Sequence, residues 1–203
     1  WTDDSELKDA LAKVSLPVVS RKDAERLGLL SKNGDDAPVL LVGGAVGGKK
    51  AEEFKRLYET VKRGGKVVFL RPDVFANGIS ATGFLPFDEK ERGILKQRNN
   101  WLYHKDDWNK FHPFFAGLPA GRILDHIFWR EMIPARGFSG IKVPDEAISG
   151  SIYTAFITYE SDLTLAVYQW GEGRFVLNTF EIVRNLGKDP SAERLLRNII
   201  NGL

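Results

Sequence analysis

The sequence predicts an α/β domain built on a mostly parallel sheet. Three observations lead there. Residues 39–42, Val-Leu-Leu-Val, form a continuous apolar run, as in a strand buried on both faces. Residues 51–63 then place Phe54, Leu57, Tyr58 and Val61 on one helical face. Residues 66–70 are again rich in Val and Phe, so the three segments form a β-α-β crossover, which joins parallel strands.

The other elements follow in chain order. Leu7, Ala10, Leu11 and Val14 recur at helical spacing behind Thr2, Asp3 and Asp4, which can cap a helix, and Pro17 ends it. Residues 17–20 read as a short strand, 22–30 as a second helix and 31–37 as a polar loop. Gly43–Gly48 is a Gly-rich turn, and Gly64-Gly65 stops the crossover helix. Residues 72–150 hold six of the nine prolines and many aromatics, and read as an irregular insertion with one strand near 123–128. Three β-rich runs follow at 152–159, 163–170 and 174–180, with turns at 160–162 and 171–173. The last helix opens with Asp189-Pro190, an N-cap followed by proline at the first helical position. Its inner face is Ala192, Leu195, Leu196, Ile199 and Ile200.

Composition narrows the function classes. The 203 residues are 43% hydrophobic, enough for one sizeable core, and we expect a single domain over residues 1–203, excised from a larger protein. Lys and Arg number 29 against 27 Asp and Glu, without the concentrated positive charge of a nucleic-acid binder. The absence of cysteine excludes disulfides, thiolate catalysis and Cys-ligated metals. No apolar run approaches the length of a membrane span.

Four constellations could carry chemistry. Gly43, Gly44, Gly48 and Lys49 fit G-x-x-x-x-G-K between a strand and a helix, where backbone N–H groups can wrap an anion. Lys50 stands where a nucleotide-binding loop needs Ser or Thr, so the alternatives are simple anion binding or an unliganded turn. Trp101, Tyr103 and Trp108, with His112 nearby, lie among amides and carboxylates, as in a sugar-stacking surface or an aromatic packing interface. His104, His112 and His126 have no metal-binding helical spacing and read as hydrogen-bonded loop histidines; no metal site is expected. Carboxylates are plentiful, but no two stand out as a glycosidase pair, and no G-x-S-x-G occurs.

The layout of residues 39–44, 51–63 and 64–70 resembles the class I glutamine amidotransferase-like superfamily, which implies a flavodoxin-like three-layer sandwich. In that family the second strand delivers a nucleophilic Cys, and the matching position falls near Arg71 and Pro72. A His-Pro-Glu-like motif follows a late strand; here Glu181 matches the acid, while Asn178 or Thr179 stands near the missing His. Two of the three catalytic groups are thus vacated, and no catalytic residue is assigned. Residues 112–119, 171–179 and 185–198 resemble non-catalytic members joined to bacterial glycoside hydrolases, the last stretch being similar to the close of family 2-type, β-galactosidase-like enzymes. The resemblance implies a non-catalytic accessory domain, structural or oligomerising, in a periplasmic or secreted enzyme. The expected partners are other domains of the same polypeptide, carbohydrate, and a second copy of the chain. No cofactor, nucleic acid or membrane partner is expected. The alternatives are a carbohydrate-binding module on the aromatic stretch and an anion-binding domain on the Gly43–Lys49 turn.

Overall fold

In the computed structural model of the protein, residues 5–16, 18–26, 37–44, 50–97, 105–155 and 157–203 are described. Helix α1 (Ser5–Ala12) and the turn after it bury Leu7, Ala10, Leu11 and Val14. Residues 18–20 form no strand. They lead into α2 (Arg21–Arg26), where Ser20 accepts from the Asp23 amide at 3.2 Å and donates to its carboxylate at 2.7 Å. That reciprocal cap fixes the start of the helix.

The crossover is present as β1 (Val39–Val42), α3 (Lys50–Lys62) and β2 (Lys66–Phe69), with β1 and β2 parallel. The chain beyond it is also mainly strand: β3 (Arg92–Gln97), β4 (Lys105–Asn109), β5 (Arg122–Ile123), β6 (Arg136–Ile141), β7 (Glu146–Ala155), β8 (Thr158–Trp170) and β9 (Gly173–Asn178). Helices α4 (Ile182–Asn185) and α5 (Pro190–Asn201) close the chain. One sheet contains all nine strands, in the order β1-β2-β9-β8-β7-β4-β5, with β6 paired to β8 and β3 to β6.

This overturns the expected mostly parallel, flavodoxin-like sandwich. Only β1–β2 and β2–β9 are parallel, and the other six pairings are antiparallel. The crossover reports only its own end of the sheet. The stretch read as irregular supplies β3 to β6 and the start of β7. The strand expected at 123–128 is reduced to Arg122–Ile123. Residues 160–162, expected as a turn, lie inside β8, because the β7–β8 hairpin turns earlier, after Ala155.

The parallel end is covered on both faces. Phe54, Leu57, Tyr58 and Val61 of α3 pack on Val67, Phe69, Phe175 and Leu177. On the other face Val68, Leu70 and Val176 meet α1 and the Leu195, Leu196 and Ile199 stripe of α5. The Asp189 carboxylate caps α5 by accepting from the Ser191 amide at 2.9 Å, as its sequence foretold. Gly173 lets the β8–β9 turn rest on the end of α3: a Cβ there would come within 2.2 Å of the Val61 and Gly65 carbonyl oxygens.

The antiparallel end buries polar groups. Asp107, Ser151 and Asp162 stand opposite one another across β4, β7 and β8, so they share a face, and all three are buried. Lys105 Nζ lies 3.0 Å from Asp107 Oδ2 and donates to the Pro134 carbonyl at 2.6 Å. Burial pushes the Asp107 carboxyl above its ordinary value, and Lys105 opposes that shift. Lys105→Met should strand a buried carboxylate and destabilise the fold by roughly 3 kcal/mol at pH 7. Carboxylate ionisation carries this penalty, so it should vanish below about pH 4, where the unfolded group is protonated too. Urea unfolding of both proteins at the two pH values reads the difference.

Candidate functional site

Strands β2 and β9 run side by side in parallel, with Phe69 level with Leu177, so the chain leaves both at one edge of the molecule. Open α/β sheets bind ligands outside such carboxyl ends. A cleft of about 210 Å³ lies there. Leu70, Arg71, Pro72 and Asp73 line it after β2; Thr179, Phe180, Glu181, Val183 and Arg184 line it after β9; Arg136 reaches it from the start of β6.

Buried amides hold these walls. The Asn178 side chain donates to the carbonyls of Leu70 at 3.0 Å and Phe180 at 3.1 Å, and accepts from the Phe180 amide at 3.1 Å. It thereby ties the exit of β2 to the exit of β9. Thr179 donates through its amide and its hydroxyl to the Thr164 carbonyl, at 2.9 and 3.2 Å. Asn185 donates to the carbonyls of Glu131 at 2.6 Å and Glu181 at 2.9 Å, which fixes the turn carrying Glu181 and Arg184.

The charges form a connected array. Both terminal nitrogens of Arg136 donate to the Asp73 carboxylate, Nη1 to Oδ1 and Nη2 to Oδ2, the latter at 2.8 Å. These bonds hold the Asp73 carboxyl below the usual carboxylate range; partial burial opposes them, and the Arg136 and Arg71 charges add to them. The same bonds raise Arg136 above its ordinary value, against partial burial, with Asp73 and Glu181 adding as nearby negative charges. The Glu181 carboxylate and the Arg184 guanidinium make no side-chain hydrogen bond or ion pair among the described residues. Guanidiniums, carboxylates and one hydroxyl suit such a site to binding small polar molecules. The lining contains no Ser, Cys, His or Lys; its side chains with reactive oxygens are Asp73, Thr179 and Glu181.

Arg71, Pro72, Thr179 and Glu181, the positions marked by the family resemblance, all line this cleft. Asn178 is instead a buried clamp. Asp73, Arg136 and Arg184 carry no motif and escape a reading of the sequence. The anion turn is only partly visible: Gly48 and Lys49 lie outside the described residues. Gly43 and Gly44 are buried, and a Cβ on Gly43 would fall 2.3 Å from Leu7 Cδ2, so α1 already uses the space that its missing side chain leaves.

Of the proposed sugar platform, Trp101 and Tyr103 lie outside the described residues, as does His104. Trp108 is half-buried over Gly150, where a Cβ would come within 2.7 Å of Cζ2, and Lys110 Nζ stands 5.9 Å from its ring centre. His112 accepts from the Phe114 amide on Nδ1 at 3.2 Å, which puts its proton on Nε2, 2.9 Å from a Glu146 carboxylate oxygen. It caps the one-turn 3-10 helix Pro113–Phe115. His126 is exposed. Among the described residues no three His, Cys, Asp or Glu side chains gather as a metal site, and no helix is long and apolar enough to cross a membrane.

No family model matches the sequence, and comparison with curated proteins finds no significant match.

Asp73→Asn removes the charge from the Arg136 pair. The two side chains are 64% and 31% exposed, so screening limits the loss to about 0.5–1 kcal/mol. The folded Asp73 pKa lies below the unfolded one, so the pair contributes above about pH 4 and fades as pH falls through the folded value. The stability gap between wild type and Asp73→Asn should therefore close on acidification from pH 7 to about pH 2, as read by denaturant titration.

Proposed function

We propose that the chain is a non-catalytic accessory domain of a larger glycoside hydrolase, with a structural role in that enzyme. The observation that carries this reading is the set of residues lining the cleft. Where the resembled family needs a nucleophile after the second strand, this chain has Arg71-Pro72-Asp73, and the Asp73 carboxylate is engaged by Arg136. Glu181, at the acid position, shares the cleft with guanidiniums and has no imidazole among the lining residues to orient. The covalent step of the resembled family requires a Cys thiolate and a His, and the cleft lining contains no Cys or His.

The link to glycoside hydrolases rests on the closing stretch, residues 185–198. Its apolar positions Leu186, Ala192, Leu195 and Leu196 all belong to the core beneath the parallel strands. That stretch therefore serves this domain's own folding, which fits a self-standing accessory unit within a longer polypeptide.

The purified chain should not hydrolyse aryl glycosides of the common hexoses and pentoses above the buffer rate. Turnover that survives further purification and disappears in Glu181→Gln would overturn the reading, because it would make the cleft an active site.

A further inference from the structure

We propose that the open edge of β5 is the seat of a two-fold dimer, in which a second copy of this chain pairs antiparallel with it at Ile123. The inference goes beyond the accessory reading and does not depend on it.

The backbone comes first. Strand β5 ends the path of the sheet and pairs with β4 alone among the described strands. Antiparallel pairs alternate between residues that exchange both backbone hydrogen bonds and residues that exchange none. The Leu124 amide donates to the Asp107 carbonyl at 2.7 Å, so the neighbouring pair, Ile123 opposite Trp108, is of the second kind. The N–H and C=O of Ile123 therefore point away from β4, into the open edge. Such an edge is a template for a further strand. It is only two residues long, so side chains must carry most of the contact.

Those side chains are present at both ends of the strand. Phe111 is 85% exposed, and its ring lies on the Gly121 backbone, where a Cβ would fall 2.2 Å from it. Ile123 itself is 56% exposed. Ile127, at 90%, and Phe128, at 43%, sit in the turn that follows, their amides donating to the Asp125 carboxylate at 2.8 and 3.4 Å. An antiparallel pair about a two-fold axis at Ile123 lays the Gly121 end of one copy beside the Asp125 end of the other. It exchanges two backbone hydrogen bonds at Ile123 and carries Phe111 of each copy toward Ile127 and Phe128 of its mate. It also brings Arg122 of each copy toward Asp125 of its mate, both exposed and of opposite sign. A matching occupant must offer free backbone groups, flanking apolar groups and charges in this order. The same edge of a second copy offers all three by symmetry.

Area separates a passing contact from a dimer. A large apolar side chain presents roughly 150–250 Å² when fully exposed, so these four together expose roughly 600 Å². Covering them on both copies removes about 1,200 Å² from water, which is the lower end of specific interfaces and above the range of most casual contacts. Interfaces of this size without a deep anchor reach micromolar affinity.

Sedimentation equilibrium of the whole 203-residue chain, over a concentration series, tests the proposal. The mass should rise from one chain to two and stop there, because a two-fold contact closes on itself. Ile123→Lys and Phe111→Asp should each weaken association at least tenfold. Both side chains are exposed, so the melting temperatures should stay at the wild-type value. Ile79→Lys, in the exposed turn that follows β2 toward the other end of the sheet, should leave association unchanged. Hydrogen exchange on the wild type gives a reading that needs no variant: the Ile123 amide should exchange more slowly as concentration rises. A single-chain mass throughout the series would overturn the proposal, as would growth beyond two chains. So would association that survives both β5-edge variants, an equal loss in Ile79→Lys, or exchange at Ile123 that ignores concentration.

Discussion

Strand β8 is hydrogen-bonded along both edges, and the rest of the sheet depends on it. Its 13 residues pair with β7 from Thr158 to Val167 on one side. On the other side β6 takes Asp162 and Leu163, and β9 takes Leu165 to Trp170. A buried backbone group that loses its partner costs about 1–3 kcal/mol, so a strand satisfied on both edges cannot shift register without losing several such bonds. The parallel trio β1, β2 and β9 reaches the antiparallel strands through this element. Leu165, Ala166, Val167 and Tyr168 are all buried, as expected where both faces of the sheet are covered.

The cleft is a direct result of how β8 shares its second edge. Strand β9 leaves that edge with Asn178 opposite Leu165, and β6 takes it up with Phe138 opposite Leu163. Thr164 lies at the handover, and its carbonyl is satisfied by the amide and hydroxyl of Thr179. Arg136 stands two residues before Phe138 and so emerges beside the segment that follows β9. Its guanidinium then meets Asp73, which arrives from β2. An exposed ion pair contributes little to stability, so the strand register, rather than the pair, sets the position of these groups.

Some of this was legible in the sequence. The run at 39–42, the stripe Phe54, Leu57, Tyr58 and Val61, and the Asp189-Pro190 cap each encode a local rule, and each corresponds to an observed element. The β-rich runs at 152–159, 163–170 and 174–180 overlap β7, β8 and β9, but the strands β3 to β6 follow no such rule. Lys105–Asn109 reads Lys-Asp-Asp-Trp-Asn, and its buried residues are Asp107 and Asn109. Hydrophobic alternation cannot reveal a strand whose inner face is polar. What makes it a strand is the row it joins, Asp107 opposite Ser151 and Ser151 opposite Asp162, together with the Asn109 amide donating to the Pro119 carbonyl at 3.0 Å. These are long-range facts. The site behaves likewise: Glu181 could be marked by resemblance, but Asp73 and Arg136 lie 63 residues apart and belong to no common motif.

Rigidity and missing chemistry fit together in this cleft. Its walls are clamped by buried amides, and its guanidiniums come from three separate segments, at Arg71, Arg136 and Arg184. Preorganised charge of this kind lowers the cost of binding, because the groups need not be gathered when a ligand arrives. Turnover by the resembled chemistry would further require a Cys thiolate and a His, and neither is among the lining residues.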